Sequence, residues 1–136
     1  MLTSNSSKYL GKHAIAEFYE CNTSLLDDVD KIEELLTNAA IECGATIVEK
    51  CFHRFNPYGV SGVVIIAESH ISIHTWPEYA YAAVDLFTCG TSCNTQKAYN
   101  YLIKAFKSKK SSYNELQRGL LDTNNNLKEE PFVIGV

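Results

Sequence analysis

Side chains that can do covalent and acid–base chemistry are concentrated between residues 53 and 89. Glu68-Ser69-His70 joins two segments of high β-propensity, and a tight connection there can hold a peptide bond strained and exposed. The Ser69 hydroxyl can attack its own preceding carbonyl when a base and an oxyanion donor lie nearby. The resulting ester can lose the Glu68 carboxylate by β-elimination, and hydrolysis of the dehydroalanine leaves a pyruvoyl group on the new N-terminus. Taken alone, however, a serine at such a connection is usually only a turn residue.

Histidines and cysteines in this region do not predict a metal site. His70 and His74 have the spacing of a metal-binding pair on a helix, but the alternating Ile71-Ser72-Ile73 predicts a strand. Four residues of strand span about 13 Å, which is too far for two ligands of one ion. The five cysteines form no C-x-x-C pair, so structural zinc is not expected either: Cys21, Cys43, Cys51, Cys89 and Cys93.

Hydrophobic periodicity predicts the elements that must position these residues. Apolar residues recur at helical spacing from Leu25 to Cys43, which predicts one helix of about five turns with Ser24 as N-cap and Gly44 as C-cap. A second amphipathic helix is predicted over residues 95–107. Strands are predicted over 13–19, 45–55, 60–67, 71–76, 81–89 and 111–118. The predicted fold class is α+β: a two-layer sandwich in which helices cover one face of a largely antiparallel sheet.

Length and composition predict one soluble domain of 136 residues, with a flexible leader over 1–9 and a tail over 119–136. The net charge of −4 argues against a nucleic-acid partner. No segment approaches the roughly 18 apolar residues that a membrane span needs, so no membrane partner is expected. The N-terminal residues are polar, unlike a secretory signal, and we therefore expect a cytoplasmic protein.

The run from Glu68 to Gly90, ESHISIHTWPEYAYAAVDLFTCG, resembles the signature of the prokaryotic-type, pyruvoyl-dependent S-adenosylmethionine decarboxylases. Gly11-Lys12-His13 and FHRFNPYGVSGVVIIAESH match that family in order and spacing, so the resemblance covers roughly residues 10–118. It implies self-cleavage between Glu68 and Ser69 into a β chain, 1–68, and an α chain, 69–136. Ser69 would thereby become a covalent pyruvoyl cofactor. The resemblance also implies a dimer of processed protomers with the site near their interface.

The resemblance further implies catalytic roles at three matching positions. His74 matches the histidine that processing needs, and Ser61 matches the serine that assists it. Cys89 matches the cysteine that reprotonates the substrate carbanion. This last role is chemically reasonable, because a cysteine thiol is largely protonated at neutral pH. In the implied reaction, the pyruvoyl ketone forms a Schiff base with the substrate amine. The resulting imine withdraws electrons as carbon dioxide leaves.

Three more matching positions are implied to contact S-adenosylmethionine. Phe55 and Trp76 match aromatic residues near the substrate, and aromatic faces attract a sulfonium cation. Glu78 matches the carboxylate that holds the ribose hydroxyls. The implied function is decarboxylation of S-adenosylmethionine, which supplies the aminopropyl donor for spermidine synthesis.

Two alternatives remain open at the level of sequence. A pyruvoyl-dependent arginine decarboxylase would share the cofactor, but arginine has no ribose for Glu78 to hold. An unprocessed homologue acting as a binding or regulatory protein would keep Glu68 and Ser69 joined in one chain.

Overall fold

One antiparallel sheet organises the chain in the computed structural model, which describes residues 8–130 and the backbone of 133–134. Within these residues the sheet has seven strands in the order β2-β3-β4-β5-β1-β6-β7, and every neighbouring pair is antiparallel. The strands are β1 Lys8–Tyr19, β2 Ile47–Arg54, β3 Val60–Ile66, β4 Ser69–Trp76, β5 Tyr81–Cys89, β6 Lys110–Leu121 and β7 Val133–Ile134. The helices are α1 Thr23–Leu26, α2 Val29–Cys43 and α3 Thr95–Phe106, with a 3₁₀ turn at Pro77–Tyr79.

Helices α2 and α3 cover one face of the sheet, and the core lies between these two layers. Because strand side chains alternate between faces, every second residue of the central strands is buried against the helices. This face carries Ala14, Ala16 and Phe18 of β1, Ile71 and Ile73 of β4, and Val84 and Leu86 of β5. The helices contribute Ile32, Leu36 and Ala39 from α2 and Ala98, Leu102 and Phe106 from α3. The predicted two-layer α+β sandwich is therefore confirmed.

No helix of the described residues covers the other side of the sheet, which we call the open face. It is formed by the residues that alternate with the buried set, including His13 and Ile15 of β1, Ser61 and Ile65 of β3, His70, His74 and Trp76 of β4, and Phe87 and Cys89 of β5. Large apolar side chains on this face stay in contact with solvent: Ile15 is 40% exposed, Ile65 44% and Trp76 40%. A sheet face of this composition is typical of an interface rather than of a surface left in water.

The long predicted helix over residues 25–43 is wrong in one respect, because the structure has two helices there. The Asn22 side chain caps α1 by accepting a hydrogen bond from the Leu25 N–H at 3.1 Å. The Asp28 side chain caps α2 in the same way, accepting from the Lys31 N–H at 3.1 Å. Ser24, the predicted N-cap, lies inside α1. Gly44 does end α2, with the left-handed φ of 87° that favours glycine.

Both outer segments contribute more strand than the sequence predicts. β1 begins at Lys8 rather than residue 13, so Lys8 and Tyr9 of the predicted leader are paired with β6. β6 continues to Leu121, and β7 pairs with Leu116 and Gln117. Residues 1–7 of the leader, and 131–132 and 135–136 of the tail, lie outside the described residues. No helix of the described part is long and apolar enough to cross a membrane.

A buried threonine on β4 ties the sheet to α1. The Thr75 hydroxyl accepts a hydrogen bond from the Val60 N–H at 2.8 Å and donates one to the Leu26 carbonyl at 2.8 Å. Thr88 on β5 is also buried, but its hydroxyl has no hydrogen-bond partner among the described residues. Both threonines are therefore buried, but only the Thr75 hydroxyl is hydrogen-bonded.

This difference predicts opposite effects of the same substitution. We expect Thr75→Val to lower the free energy of unfolding by about 1–3 kcal/mol, because a buried N–H and a buried carbonyl lose their partner. Thr88→Val, the matched control, removes a hydroxyl that is already unsatisfied, and is expected to be neutral or stabilising. Urea unfolding of both variants measures this, and an equal loss of stability would contradict the assigned role of Thr75.

Candidate active site

Ser69 occupies a strained position at the start of β4. The β3–β4 hairpin pairs Ile66 with Ser69, which leaves a two-residue connection of Ala67 and Glu68. Such short connections favour residues with positive φ, but Ala67 and Glu68 both keep negative φ. The positive φ instead falls on Ser69, at 145°, a value that is costly for any residue other than glycine. Backbone strain thus falls on Ser69, the residue that follows the Glu68–Ser69 peptide bond.

The carbonyl group of this peptide bond is held from the neighbouring strand. The Cys89 N–H donates a hydrogen bond to the Glu68 carbonyl oxygen at 2.7 Å. The Glu68 side chain is fixed as well, because its Oε1 accepts from the Thr46 N–H at 3.2 Å. An N–H so close to this oxygen can stabilise negative charge that develops there, as an oxyanion donor does. The structure therefore brings Glu68, Ser69 and Cys89 together.

A cavity of about 360 Å³ opens beside this bond on the open face. Its lining includes Gly11, Ser69, Phe87, Cys89 and Arg118. Gly11 pairs with Cys89 on one side and with Arg118 on the other, so it lies between them in the sheet. A Cβ atom at Gly11 would lie 2.6 Å from the Phe87 ring, which explains why glycine is needed at this close approach.

Ser61 and His74 form a hydrogen-bonded pair at the other end of β3 and β4. They are direct cross-strand partners, and Ser61 Oγ lies 2.7 Å from His74 Nδ1. A histidine within hydrogen-bond reach of a hydroxyl is the arrangement that relays a proton in general acid–base chemistry.

The three residues implied to contact substrate lie near this pair rather than near Ser69. The Phe55 ring packs edge-on against His53, the cross-strand partner of Ser61, with the centroids 4.6 Å apart. The Trp76 ring centroid lies 6.4 Å from that of His74 and 5.3 Å from that of Tyr81, and the Trp76 and Tyr81 rings are tilted by 32°. Glu78 is exposed in the 3₁₀ turn that directly follows Trp76. Phe55 is 46% exposed, so both aromatic rings are accessible.

The predicted site residues therefore fall into two groups within one chain. We call Glu68, Ser69 and Cys89 the cleavage group, and the set around Ser61 and His74 the relay group. His74 is the fifth residue after Ser69 in β4, so their backbones are about 16 Å apart. A hydrogen-bond relay needs contacts of about 3 Å, and one protomer does not bring the two groups together.

The sequence patterns did not predict that Arg118 and His13 would lie beside the cavity. Arg118 lies with its guanidinium carbon 4.8 Å from the Phe87 ring centroid, and its Nη1 is 3.3 Å from His13 Nδ1. Burial lowers the pKa of His13, and Arg118 and His70 act in the same direction although Asp85 opposes them. His13 is thus neutral at pH 7, and its Nδ1 can accept a hydrogen bond from Arg118.

The five thiols differ sharply in their surroundings. Cys51 and Cys89 are exposed, whereas Cys21, Cys43 and Cys93 are buried. Burial raises the pKa of Cys21 to about 11 and that of Cys43 to about 12, where a hydrogen bond with Cys93 acts in the same direction. Burial also raises the pKa of Cys93.

We therefore expect iodoacetamide at pH 8 to label Cys51 and Cys89 first. The thiolate is the reacting form, and a pKa raised above the working pH keeps a thiol protonated. Peptide mass spectrometry of the native protein measures the order of labelling, with a urea-unfolded sample as the control in which all five thiols react. Labelling of Cys43 as fast as Cys51 would contradict this assignment.

Comparison with known proteins gives a consistent result. The family model described as S-adenosylmethionine decarboxylase matches residues 12–119. The S-adenosylmethionine decarboxylase proenzyme of Thermosipho africanus is 58% identical over 115 residues, covering 85% of this chain and 88% of that protein. That of Thermotoga maritima is 57% identical with the same coverage.

A solved structure extends the similarity to three dimensions. The crystal structure of the adenosylmethionine decarboxylase from Aquifex aeolicus superposes with a TM-score of 0.80 at 37% identity. The match covers 88% of this chain and 98% of that one. The residues that the family model matches, 12–119, include the cleavage group, the relay group and the whole of β2 to β5. This chain belongs to the S-adenosylmethionine decarboxylase family.

Proposed function

We propose that the chain is a self-cleaving proenzyme that becomes a pyruvoyl-dependent S-adenosylmethionine decarboxylase. The observation that carries the proposal is the state of the Glu68–Ser69 bond: Ser69 has a φ of 145°, and the Glu68 carbonyl accepts the Cys89 N–H at 2.7 Å. The product is the aminopropyl donor for spermidine synthesis, and the enzyme works in the cytoplasm. The name that its relatives carry, S-adenosylmethionine decarboxylase proenzyme, supports both the precursor form and the substrate.

Cleavage begins when Ser69 Oγ attacks the Glu68 carbonyl carbon and the hydroxyl gives up its proton. Negative charge then develops on the Glu68 oxygen, where the Cys89 N–H is already placed to stabilise it. The C–N bond breaks, and the Ser69 nitrogen takes a proton to leave an ester. Loss of the Ser69 Cα proton expels the Glu68 carboxylate, and water releases ammonia from the remaining residue. The strain at Ser69 favours the step in which the C–N bond breaks, because opening the peptide bond releases the backbone that holds Ser69 at this φ.

The proton relay for these steps comes from a second copy of the chain. Ser61 and His74 are about 16 Å from Ser69 in their own protomer, which is too far to exchange a proton with it. The open face carries the Ser61–His74 pair, the Cys89 side chain and the exposed Ile15 and Ile65. Two open faces packed about a two-fold axis bury this apolar surface twice. They also place the relay group of each protomer opposite the cleavage group of its partner, so that each dimer has two sites.

The cavity beside Ser69 is suited to decarboxylation after processing. The pyruvoyl carbonyl supplies an electron sink for the electrons released with carbon dioxide. The Cys89 thiol is exposed in the same cavity as Ser69 and donates the proton that replaces the carboxylate. In the proposed dimer, the accessible Phe55 and Trp76 rings of the second copy face the sulfonium cation, and Glu78 of that copy holds the ribose hydroxyls.

Replacing Ser69 tests the cofactor precursor. We expect Ser69→Ala to remain one chain and to release no carbon dioxide, because alanine has no hydroxyl to attack Glu68. The wild-type protein should give two chains by intact mass spectrometry and release labelled carbon dioxide from S-adenosylmethionine but not from arginine. Release from arginine alone would favour the other decarboxylase, and an intact wild-type chain without activity would favour a binding protein.

Mixing two inactive variants tests whether the site is shared between protomers. Ser69→Ala and His74→Ala should each remain uncut alone, the first for lack of a nucleophile and the second for lack of a relay. In hybrid dimers made by co-expression, one site combines Ser69 of one chain with His74 of the other. We therefore expect cleavage of the His74→Ala chain only in the mixture. A mixture in which this chain stays intact would show that each site is built from one protomer.

Replacing Cys89 separates cleavage from decarboxylation. Cys89→Ala keeps the backbone N–H that holds the Glu68 carbonyl but loses the thiol. We expect the variant to be cut, and its kcat to fall by about 10²–10⁴, the usual contribution of a positioned acid. Cys51→Ala removes the other exposed thiol and serves as the matched control with unchanged kcat. Equal kcat values for wild type and Cys89→Ala would contradict the proton-donor role.

A further inference from the structure

Arg118 is a cation without an acidic partner in the described structure. The chain has two arginines, and Arg54 is paired with Asp27, its Nη2 lying 2.6 Å from the carboxylate. Among the described residues, no carboxylate oxygen lies within 4.0 Å of the Arg118 guanidinium. A guanidinium remains charged at every physiological pH and binds carboxylates through two parallel hydrogen bonds. An unpaired one in a cavity is therefore suited to an anionic ligand.

The position of Arg118 relative to the reacting groups defines that ligand further. Arg118 is the one charged residue in the lining of the cavity that also contains Ser69 and Cys89. Arg118 and Cys89 flank Gly11 in neighbouring strands, and paired residues of an antiparallel sheet project to the same face. Because Gly11 has no side chain, the Phe87 ring can lie beside its Cα, and the guanidinium lies over that ring at the edge of the cavity.

Its neighbours hold the guanidinium in this place. It lies over the face of Phe87, with Cζ 4.8 Å from the ring centroid. Its Nη1 donates to His13 Nδ1 at 3.3 Å, which requires the neutral imidazole. The stacking and the hydrogen bond use one nitrogen and one face, so the other N–H groups remain available to a ligand.

We infer that Arg118 binds the carboxylate of the substrate and so selects the amino acid over its decarboxylated product. The inference rests on the proposed function. A ligand whose amine reaches the residue derived from Ser69 must place its carboxylate in the same cavity. The carboxylate loses its charge as carbon dioxide forms, so Arg118 stabilises the bound substrate more than the transition state. The product carries no carboxylate and has a greater net positive charge, and Arg118 repels it and thereby favours release.

Steady-state kinetics and product binding test this role together. In Arg118→Met, we expect KM for S-adenosylmethionine to rise about 10- to 100-fold, the range for losing a hydrogen-bonded charged group. kcat should be unchanged or higher, because ground-state binding is what is lost. Arg118→Lys, which keeps the charge without the planar fork, should give an intermediate KM. Lys104→Met, which removes an exposed cation on α3, is the matched control for the change in net charge.

Binding of the decarboxylated product gives a readout that does not depend on turnover. The chain has a single tryptophan, Trp76, whose fluorescence reports ligands at the site. We expect Arg118→Met to bind the product as tightly as the wild type or more tightly. A processed Arg118→Met enzyme with wild-type KM, or one whose affinity for substrate and product falls together, overturns the inference.

The same measurements distinguish failure of the proposed function from failure of the role inferred for Arg118. Intact mass is measured first, and if Arg118→Met is not cut, Arg118→Lys is judged by the same criteria. A wild-type protein that stays uncut and releases no carbon dioxide overturns the proposed function and the role of Arg118 with it. Normal wild-type activity with an unaltered variant KM overturns the role of Arg118 alone.

Discussion

The hydrogen bond from the Cys89 N–H to the Glu68 carbonyl is the contact on which the proposed chemistry depends. It joins β5 to the β3–β4 connection at the point where the backbone departs from strand geometry, next to Ser69 at φ 145°. The connection itself has no glycine to take the positive φ that its length favours. A strained residue persists only when its surroundings determine its conformation, and the pairing of β4 with both β3 and β5 does this.

The second constraint is that, in the part of the chain that the structure describes, helices cover only one side of the sheet. The helix-covered face carries an almost wholly apolar core, whereas the open face combines polar groups such as Ser61 and His74 with exposed Ile15 and Ile65. Covering the open face with a helix of the same chain would bury the relay group away from any substrate. In the proposed dimer a second copy would cover this face, bury the apolar surface and bring each relay group to the cleavage group of the other chain. The proposed assembly thus accounts for a separation of about 16 Å within one chain.

Some of this arrangement follows from the sequence and some does not. Once the connection is placed at Ala67 and Glu68, antiparallel register alone predicts that Ser61 faces His74, because both residues lie equally far from the turn. The split between α1 and α2 was missed because apolar spacing runs on across Asp27 and Asp28. A side-chain cap at Asp28 overrides that spacing, and successive aspartates were the available signal.

Sequence patterns could not identify Arg118, for a different reason. It meets Cys89 only through β1, which lies between β5 and β6 in the sheet but comes first in the chain. Local periodicity gives faces of single strands, and it does not give the order in which distant strands pair. The resemblance supplied residues whose roles were already recognisable, and it ended near residue 118. The cavity lining therefore identifies Arg118, a cation that neither local periodicity nor the resemblance indicates.

In the proposed mechanism, Cys89 connects the two stages of the reaction through its backbone nitrogen and its sulfur. Its backbone N–H meets the Glu68 oxygen before cleavage, and its side chain projects to the open face where substrate is expected afterwards. Both follow from one register: Ser69 pairs with Thr88, so the next residue of β5 lies beside the connection that precedes β4. Alternation places Thr88 toward the helices and Cys89 toward the cavity. A single residue at this position can thus stabilise charge in the precursor and donate a proton in the mature enzyme, and a shift of one residue in the register would lose both functions.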